Sequence, residues 1–457
     1  MHKNSTDSNQ LRTTLFSVLV CMAVGFQSTA DTVKVPADGF EISGVKIDAK
    51  GHIHFKDPDK ATLDEAKARA LKATPPLIRK DKPNDKARDE KLVLVVLNRL
   101  TPLIKDMIQR EKQIPDAIQY LSGMTQIRYV MVFPEERQLV IAGTYEEVDK
   151  TNPAQPVGKT TGRPIIQLDD LIAGLRTAKA LRRGGDHAGI FGCSIDPPKN
   201  IQLKIDQSLK ANATKPKTER IDAIKKLVPQ MDVDFFNTDE ETRIAMICAM
   251  ADAKLKRLAT GSEVNAVSGI TTVLEDSAKA KISRIWFETA YQPILSSEEG
   301  TIFELAGSRL MVKAGEESFN DKDATKKAIL FAKNCTDKMP QLCAAYNVFA
   351  DLQNIADVHV AGILIKTERL DDKAKWESAV IYAKVGWPLQ EFPVAKKVDS
   401  QISPIGNTVV TGGVGLSAFE LVDVDKRMID KKNVLQPVYE KVKRMLGESN
   451  DPILVME

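Results

Sequence analysis

Five carboxylates in this chain could be set to acid–base work. Glu135 and Glu136 share one charged turn, Asp169 and Asp170 stand at a helix start, and Glu288 ends an aromatic-rich strand. Hydrolysis by paired carboxylates needs two of them to converge, with one pKa raised so that it can serve as the acid. Neighbouring acids in a charged turn are ordinarily solvated, so spacing alone selects no pair. Nucleophilic chemistry has thinner support. Cys193 with His187 is the one Cys–His pairing that the local sequence suggests, and a free thiol outside the cytoplasm is open to oxidation. Ser417 stands in GGVGLS, not in the Gly-x-Ser-x-Gly elbow.

The chain has five histidines. His52 and His54 fall on one face of a short strand, because strand side chains alternate. Two imidazoles could begin a metal site, but the sequence places no recognised third ligand or HExxH spacing beside them. No metal and no cofactor is therefore expected. His359, two residues after Asp357 on an apolar helix, reads as structural. The TGGVG run at 411–415 is flanked by strand-like residues, whereas a phosphate cradle opens a helix. No Walker motif, dinucleotide fingerprint, haem attachment or iron–sulfur spacing is present. Lys179, Arg182 and Arg183, beside Gly184 and Gly185, read as a solvated helix end, not a phosphate site.

Helices and short sheets must position these residues. FEISGVKID and GHIHF form a strand pair turning at 49–51. DKATLDEAKARALKA is a solvated helix, and the proline- and charge-rich stretch after it is a linker. Residues 91–112 read as helical, broken so that Thr101 caps and Pro102 opens a second part. IRYVMVF and QLVIAG, around the charged turn 134–137, are the clearest hairpin. PIIQL at 164–168 reads as a strand, a helix follows from Asp169, and 190–206 hold a strand and a Pro-Pro turn. Residues 207–229 are helical in part. Residues 238–260 make the strongest helix. Thr238 and Glu241 match a capping box, Ile244, Cys248, Ala251, Leu255 and Leu258 form an apolar stripe, and Gly261 ends it. ISRIWFETA, TIFELAG and SRLMVKA, within 282–314, form a second set of strands that faintly echoes the first. Residues 322–370 read as helices, 407–424 as two strands around the glycines, and the tail as a short helix, VYEKVKRML.

The expected fold class is α+β, with mixed helices and short antiparallel sheets in two packed subdomains. The expected division is a signal peptide at 1–30, a strand pair and charged linker at 31–90, subdomains at 91–206 and 207–425, and a tail at 426–457. The first segment carries Lys3 and Arg12, then the apolar run LFSVLVCMAVGF, then Ser28 and Ala30 at the positions a signal peptidase reads. That run is shorter than the roughly 20 residues a spanning helix needs. A lipid anchor at Cys21 and a retained signal anchor are the alternatives. Export to the periplasm or the extracellular space is expected, with no stable transmembrane span in the mature chain. Four cysteines follow the leader. Cys335 and Cys343 are near enough in sequence to bridge, and Cys248 reads as a buried thiol. With 65 basic and 62 acidic side chains the net charge is +3, which gives no long-range pull on nucleic acid.

Several separated blocks carry a resemblance. They are IPDAIQYLSGMTQIRYVMVFPEERQLVIAG at 114–143, GRPIIQLDDLIAGLR at 162–176 with CSIDP at 193–197, and TRIAMICAMADAKLKRLATG at 242–261. RIWFETAYQPILSSEEGTIFELAG at 284–307, VFADLQNIADVHVAGILI at 348–365 and VVTGGV at 409–414 complete them. In this order the blocks resemble a family of exported planctomycete-type bacterial proteins defined by a domain of unknown function, DUF1598, over roughly residues 40–420. The chain departs from the usual pattern at Cys248, Cys335, Cys343 and Ala253. The resemblance implies export and one architecture across 114–420, and it brings no activity. The expected role is therefore non-enzymatic binding or structure in the cell envelope or outside it, with an envelope protein or glycan as partner. The rival is an exported hydrolase acting through the five carboxylates.

Overall fold

The computed structural model describes residues 39–73 and 91–456, except 153–154, 185–186, 188, 198–199, 229, 275–280, 291, 316–324, 384–386, 403–407 and 424–426. The segment expected to be a leader, 1–30, and the proline- and charge-rich stretch expected to be a linker lie outside the described residues. Within them the α+β expectation holds, with several helices packed on two open sheets. The larger sheet runs Phe40–Ile42, Val45–Ile47, His52–Phe55, Lys397–Asp399, Gln230–Phe236, Phe191–Asp196, Thr408–Leu416, Lys281–Thr289, Leu310–Gly315, with Gln401–Ile402 also paired to Thr408–Leu416. The smaller runs Met428–Ile429, Leu295–Ser296, Ile302–Glu304, Met124–Phe133, Gln138–Tyr145, Leu92–Val96, Ile453–Met456. Each sheet draws strands from both sides of residue 206, so the expected division there is not a boundary between sheets. The second set of strands is split: Lys281–Thr289 and Leu310–Gly315 join the larger sheet, while Leu295–Ser296 and Ile302–Glu304 join the smaller.

Helix Arg243–Thr260 packs on the larger sheet, and helix Asn347–Thr367 packs on that helix and on Met124–Phe133 of the smaller sheet. Every residue of Arg243–Thr260 is buried. The apolar stripe was legible, but the opposite face is covered as well, so its charged residues must find partners inside the protein. Helix Asn347–Thr367 is long and apolar enough to cross a membrane by length and composition, and that stretch is wholly buried inside the protein here. Helix Leu168–Ala180 crosses it closely. A Cβ on Gly174 would stand 2.4 Å from Val358 Cγ1, and one on Gly362 2.6 Å from Ala178 Cβ.

Leu92–Val96 corrects the helical reading of 91–96. Val93 and Val95 join the main core, while Leu92, Leu94 and Val96 join a second core beneath helix Gln436–Glu448. A five-residue apolar segment with three β-branched valines, covered on both faces, is a strand by packing. The glycine segment is one strand, Thr408–Leu416, followed by the short helix Phe419–Val422 rather than a second strand. PIIQL contributes one isolated bridge, Val157 to Pro164, before the helix at Leu168. The cap of Arg243–Thr260 is Thr242, which accepts from Ala245 N at 3.3 Å. Thr238 instead accepts from Gly192 N at 3.1 Å. Gln230–Phe236, Lys397–Asp399 and Ile453–Met456 are among the strands that the sequence pattern does not show, and Lys397–Asp399 lies in a stretch, 371–400, that reads as irregular.

Candidate functional site

The hairpin Val45–Ile47/His52–Phe55 is antiparallel, and its turn begins at Asp48. Asp48 Oδ1 accepts from Lys50 N at 2.9 Å and from His52 N at 3.0 Å, which is how a turn aspartate satisfies its own backbone. Asp48 Oδ2 lies 3.1 Å from His54 Nε2. These bonds, led by the His52 amide and then His54, hold the Asp48 carboxyl down at about 2. His52 pairs in parallel with Lys397, and Gln230 lies opposite Asp399 in the next pairing. Asp399 Oδ1 and Gln230 Nε2 therefore both reach His52 Nε2, each at 2.9 Å. The two imidazole centroids are 3.9 Å apart. Gly51 pins the hairpin: its φ is +80°, and a Cβ there would collide with the Val394 carbonyl. Its own carbonyl accepts from Lys396 N at 2.8 Å. The sequence reading had the two histidines on one face but lacked the third group. Asp48 supplies it from four residues upstream, and Asp399 adds a fourth from the far end of the chain.

Asp399 also borders a cleft of about 510 Å3. Phe55, Ile221, Lys225, Arg257, Ser262 and Gln401 contribute to its wall. The Arg257 guanidinium lies 4.7 Å from the centre of the Phe55 ring and is paired with Asp57 and Glu263. A smaller cleft of about 210 Å3 is bordered by Asp116, Tyr120, Tyr145, Glu146 and Lys150.

None of the five predicted carboxylates borders either cleft. Glu135 and Glu136 flank Lys443 at 3.3 and 3.2 Å on the hairpin turn. Asp169 accepts from Trp387 Nε1 and Gln390 N, both at 2.8 Å. Burial raises its pKa against those two bonds. Asp170 points inward to Arg243 at 2.6 Å, and burial pushes it up to about 6. Glu288 accepts from Trp286 Nε1 at 2.7 Å. The structure thus gives each one a local partner and places them in separate surroundings. Asp169 and Asp170, though adjacent, turn to different partners.

The thiols are equally occupied by packing. Cys193, Cys248, Cys335 and Cys343 are all buried and free, so the 335–343 bridge is not formed. Burial raises all four thiols, Cys248 and Cys343 to about 12. His187 stacks on Phe236 with centroids 4.5 Å apart, and burial keeps Cys193 a neutral thiol rather than an activated nucleophile. His359 is the structural histidine expected, stacked on Phe191 at 3.5 Å.

Charge inside the fold is neutralised in pairs. Arg243 bridges Asp170 and Asp351, the latter at 2.8 Å. Lys256 meets Asp252 at 2.5 Å, Lys254 pairs with Glu263, and Arg309 lies 3.5 Å from Asp357. Burial lowers Lys256 and raises Asp252, each opposed by its partner's charge. The Arg243–Asp351 and Arg309–Asp357 pairs join residues far apart in sequence, whereas Asp252 and Lys256 stand four apart on one helix and only their burial is decided elsewhere. Compared with known protein families, curated proteins and solved structures, the chain finds no match.

Proposed function

We propose that this is an exported cell-envelope or secreted protein with a non-enzymatic binding role, and that the cleft beside Asp399 holds a segment of envelope glycan. One observation carries the reading. The larger cleft is walled by hydroxyl, amide, carboxylate and guanidinium groups around the Phe55 ring, while the five carboxylates suited to hydrolysis are engaged elsewhere. Polar donors and acceptors set around an aromatic or apolar wall are the common pattern of small-ligand recognition. Ser262, Ser400 and Gln401 can meet sugar hydroxyls, and Phe55 offers an apolar contact for a sugar ring. Four buried, unionised thiols also suit an oxidising compartment, since oxidation follows thiolate character and exposure.

The test is retention of the purified chain on isolated envelope polysaccharide and, separately, on envelope protein. Saturable retention on polysaccharide that weakens at least about tenfold in Gln401→Ala and Lys225→Ala, roughly the loss of one good contact, is the expected result. Retention on the protein fraction alone would move the role to a protein partner. Release of new reducing ends, abolished by Glu288→Gln or Asp169→Asn, would overturn the binding reading in favour of hydrolysis. Export is scored on the same preparation: the chain recovered outside the cytoplasm should begin at Asp31.

A further inference from the structure

The hairpin that borders the cleft carries a donor set of its own. Asp48, His52 and His54 each offer one ligand atom, and these atoms lie within 4.8 Å of one another. Four features make this more than a chance grouping. The histidines are two apart on one strand, so their rings share a face and sit 3.9 Å apart. Asp48 is fixed by two backbone donors through Oδ1, which leaves Oδ2 turned toward His54. Asp399 grips His52 from the neighbouring strand, the carboxylate–imidazole contact that orients a ligating histidine. The side chains are between a quarter and two-fifths exposed, so an ion can reach them without opening the core.

We infer that Asp48, His52 and His54 form a binding site for a divalent transition-metal ion of the zinc class, with Asp399 as the group that orients His52 or supplies a fourth ligand. Two imidazole nitrogens and a carboxylate suit zinc, nickel or copper, whereas calcium and magnesium take oxygen ligands almost throughout. Tetrahedral zinc holds N and O donors at about 2.0–2.1 Å, which puts ligand atoms roughly 3.3 Å apart. Small side-chain rotations would bring the three donors to that spacing. Gly51 and its bond to Lys396 keep the hairpin backbone fixed while they turn. With three protein ligands, the fourth position is left to Asp399 or to a group from solvent. The site stands apart from the glycan reading, because the hairpin variants that score it are not the cleft variants that score retention.

The experiment is calorimetric titration of the purified full chain with Zn2+ alone, repeated with Co2+ for its visible absorption. One equivalent should bind, and Co2+ should give the intense bands of a four-coordinate site. His54→Ala and Asp48→Asn should each weaken binding at least about tenfold, the size of effect that even outer-shell changes produce, and should abolish the Co2+ bands. His187→Ala, on another part of the surface, should leave both unchanged. Asp48→Asn keeps the turn acceptor, so it tests the ligand should His54→Ala fold poorly. Zinc affinity within about twofold of the parent in folded Asp48→Asn overturns the site, as does an equal loss in His187→Ala.

Discussion

His359 should set an acid limit on stability that a single substitution removes. The ring is 1% exposed. Its Nδ1 lies 2.8 Å from the Ile355 carbonyl, so Nδ1–H donates, and Nε2 has no partner among the described residues. Burial holds the pKa down at about 4, against 6.5 for the free side chain. A depressed base contributes stability that is present above pH 6.5 and is lost as pH falls through 4, because the unfolded chain takes up the proton first. At 1.36 kcal/mol per unit the whole loss is about 3 kcal/mol, of which about 2 kcal/mol falls between about pH 7 and about pH 4.5. Asp170 and Asp357 act in the opposite sense. Burial raises both to about 6, so each adds stability as pH falls from 6 toward 3.8. The parent curve therefore mixes terms of both signs, and only a difference isolates the histidine. Urea unfolding of the parent and of His359→Leu at the two pH values supplies it. The variant should lose about 2 kcal/mol less stability on acidification than the parent. Equal losses in the two proteins would refute the assignment to His359.

Arg243→Met should destabilise the fold by about 3–5 kcal/mol at neutral pH, because it leaves Asp170 and Asp351 buried without their shared cation. Urea midpoints check this, and a loss below about 1 kcal/mol would mean that solvent reaches the pair. Gly362→Ala should cost about 1–3 kcal/mol, since its new Cβ meets Ala178 Cβ at 2.6 Å in a tight helix crossing. Adding Ala178→Gly should recover part of that, and a double mutant no more stable than the single one would place the strain elsewhere.

The sequence by itself determined the elements whose signal is local. The 124–145 hairpin was legible because two β-rich runs flank one charged turn. Helix Arg243–Thr260 was legible because its apolar residues recur three or four apart and Gly261 follows. The pairing of His52 with His54 on one face followed from strand alternation alone. Asp48 was also within reach, as an aspartate that opens the turn before the two histidines, had turn and strand been read together. Tertiary structure decided what depends on covering from elsewhere in the chain. LVLVV at 92–96 became a strand because Gln138–Tyr145 and Ile453–Met456 pair with it and both its faces are covered. The charges of Arg243–Thr260 became core ion pairs because distant segments cover the helix on several sides: Arg243 meets Asp351 of helix Asn347–Thr367, Lys254 bonds the Ser43 carbonyl, and Asp252 lies against Gly412 of the larger sheet. Asp399 met His52 across 347 positions, through a parallel strand pairing that local patterning cannot encode. Hydrogen-bonding geometry within a turn or helix is set by near neighbours. Burial, and with it the pKa of an interior charge and the partner of one such as Arg243, is set by which distant segment packs on top.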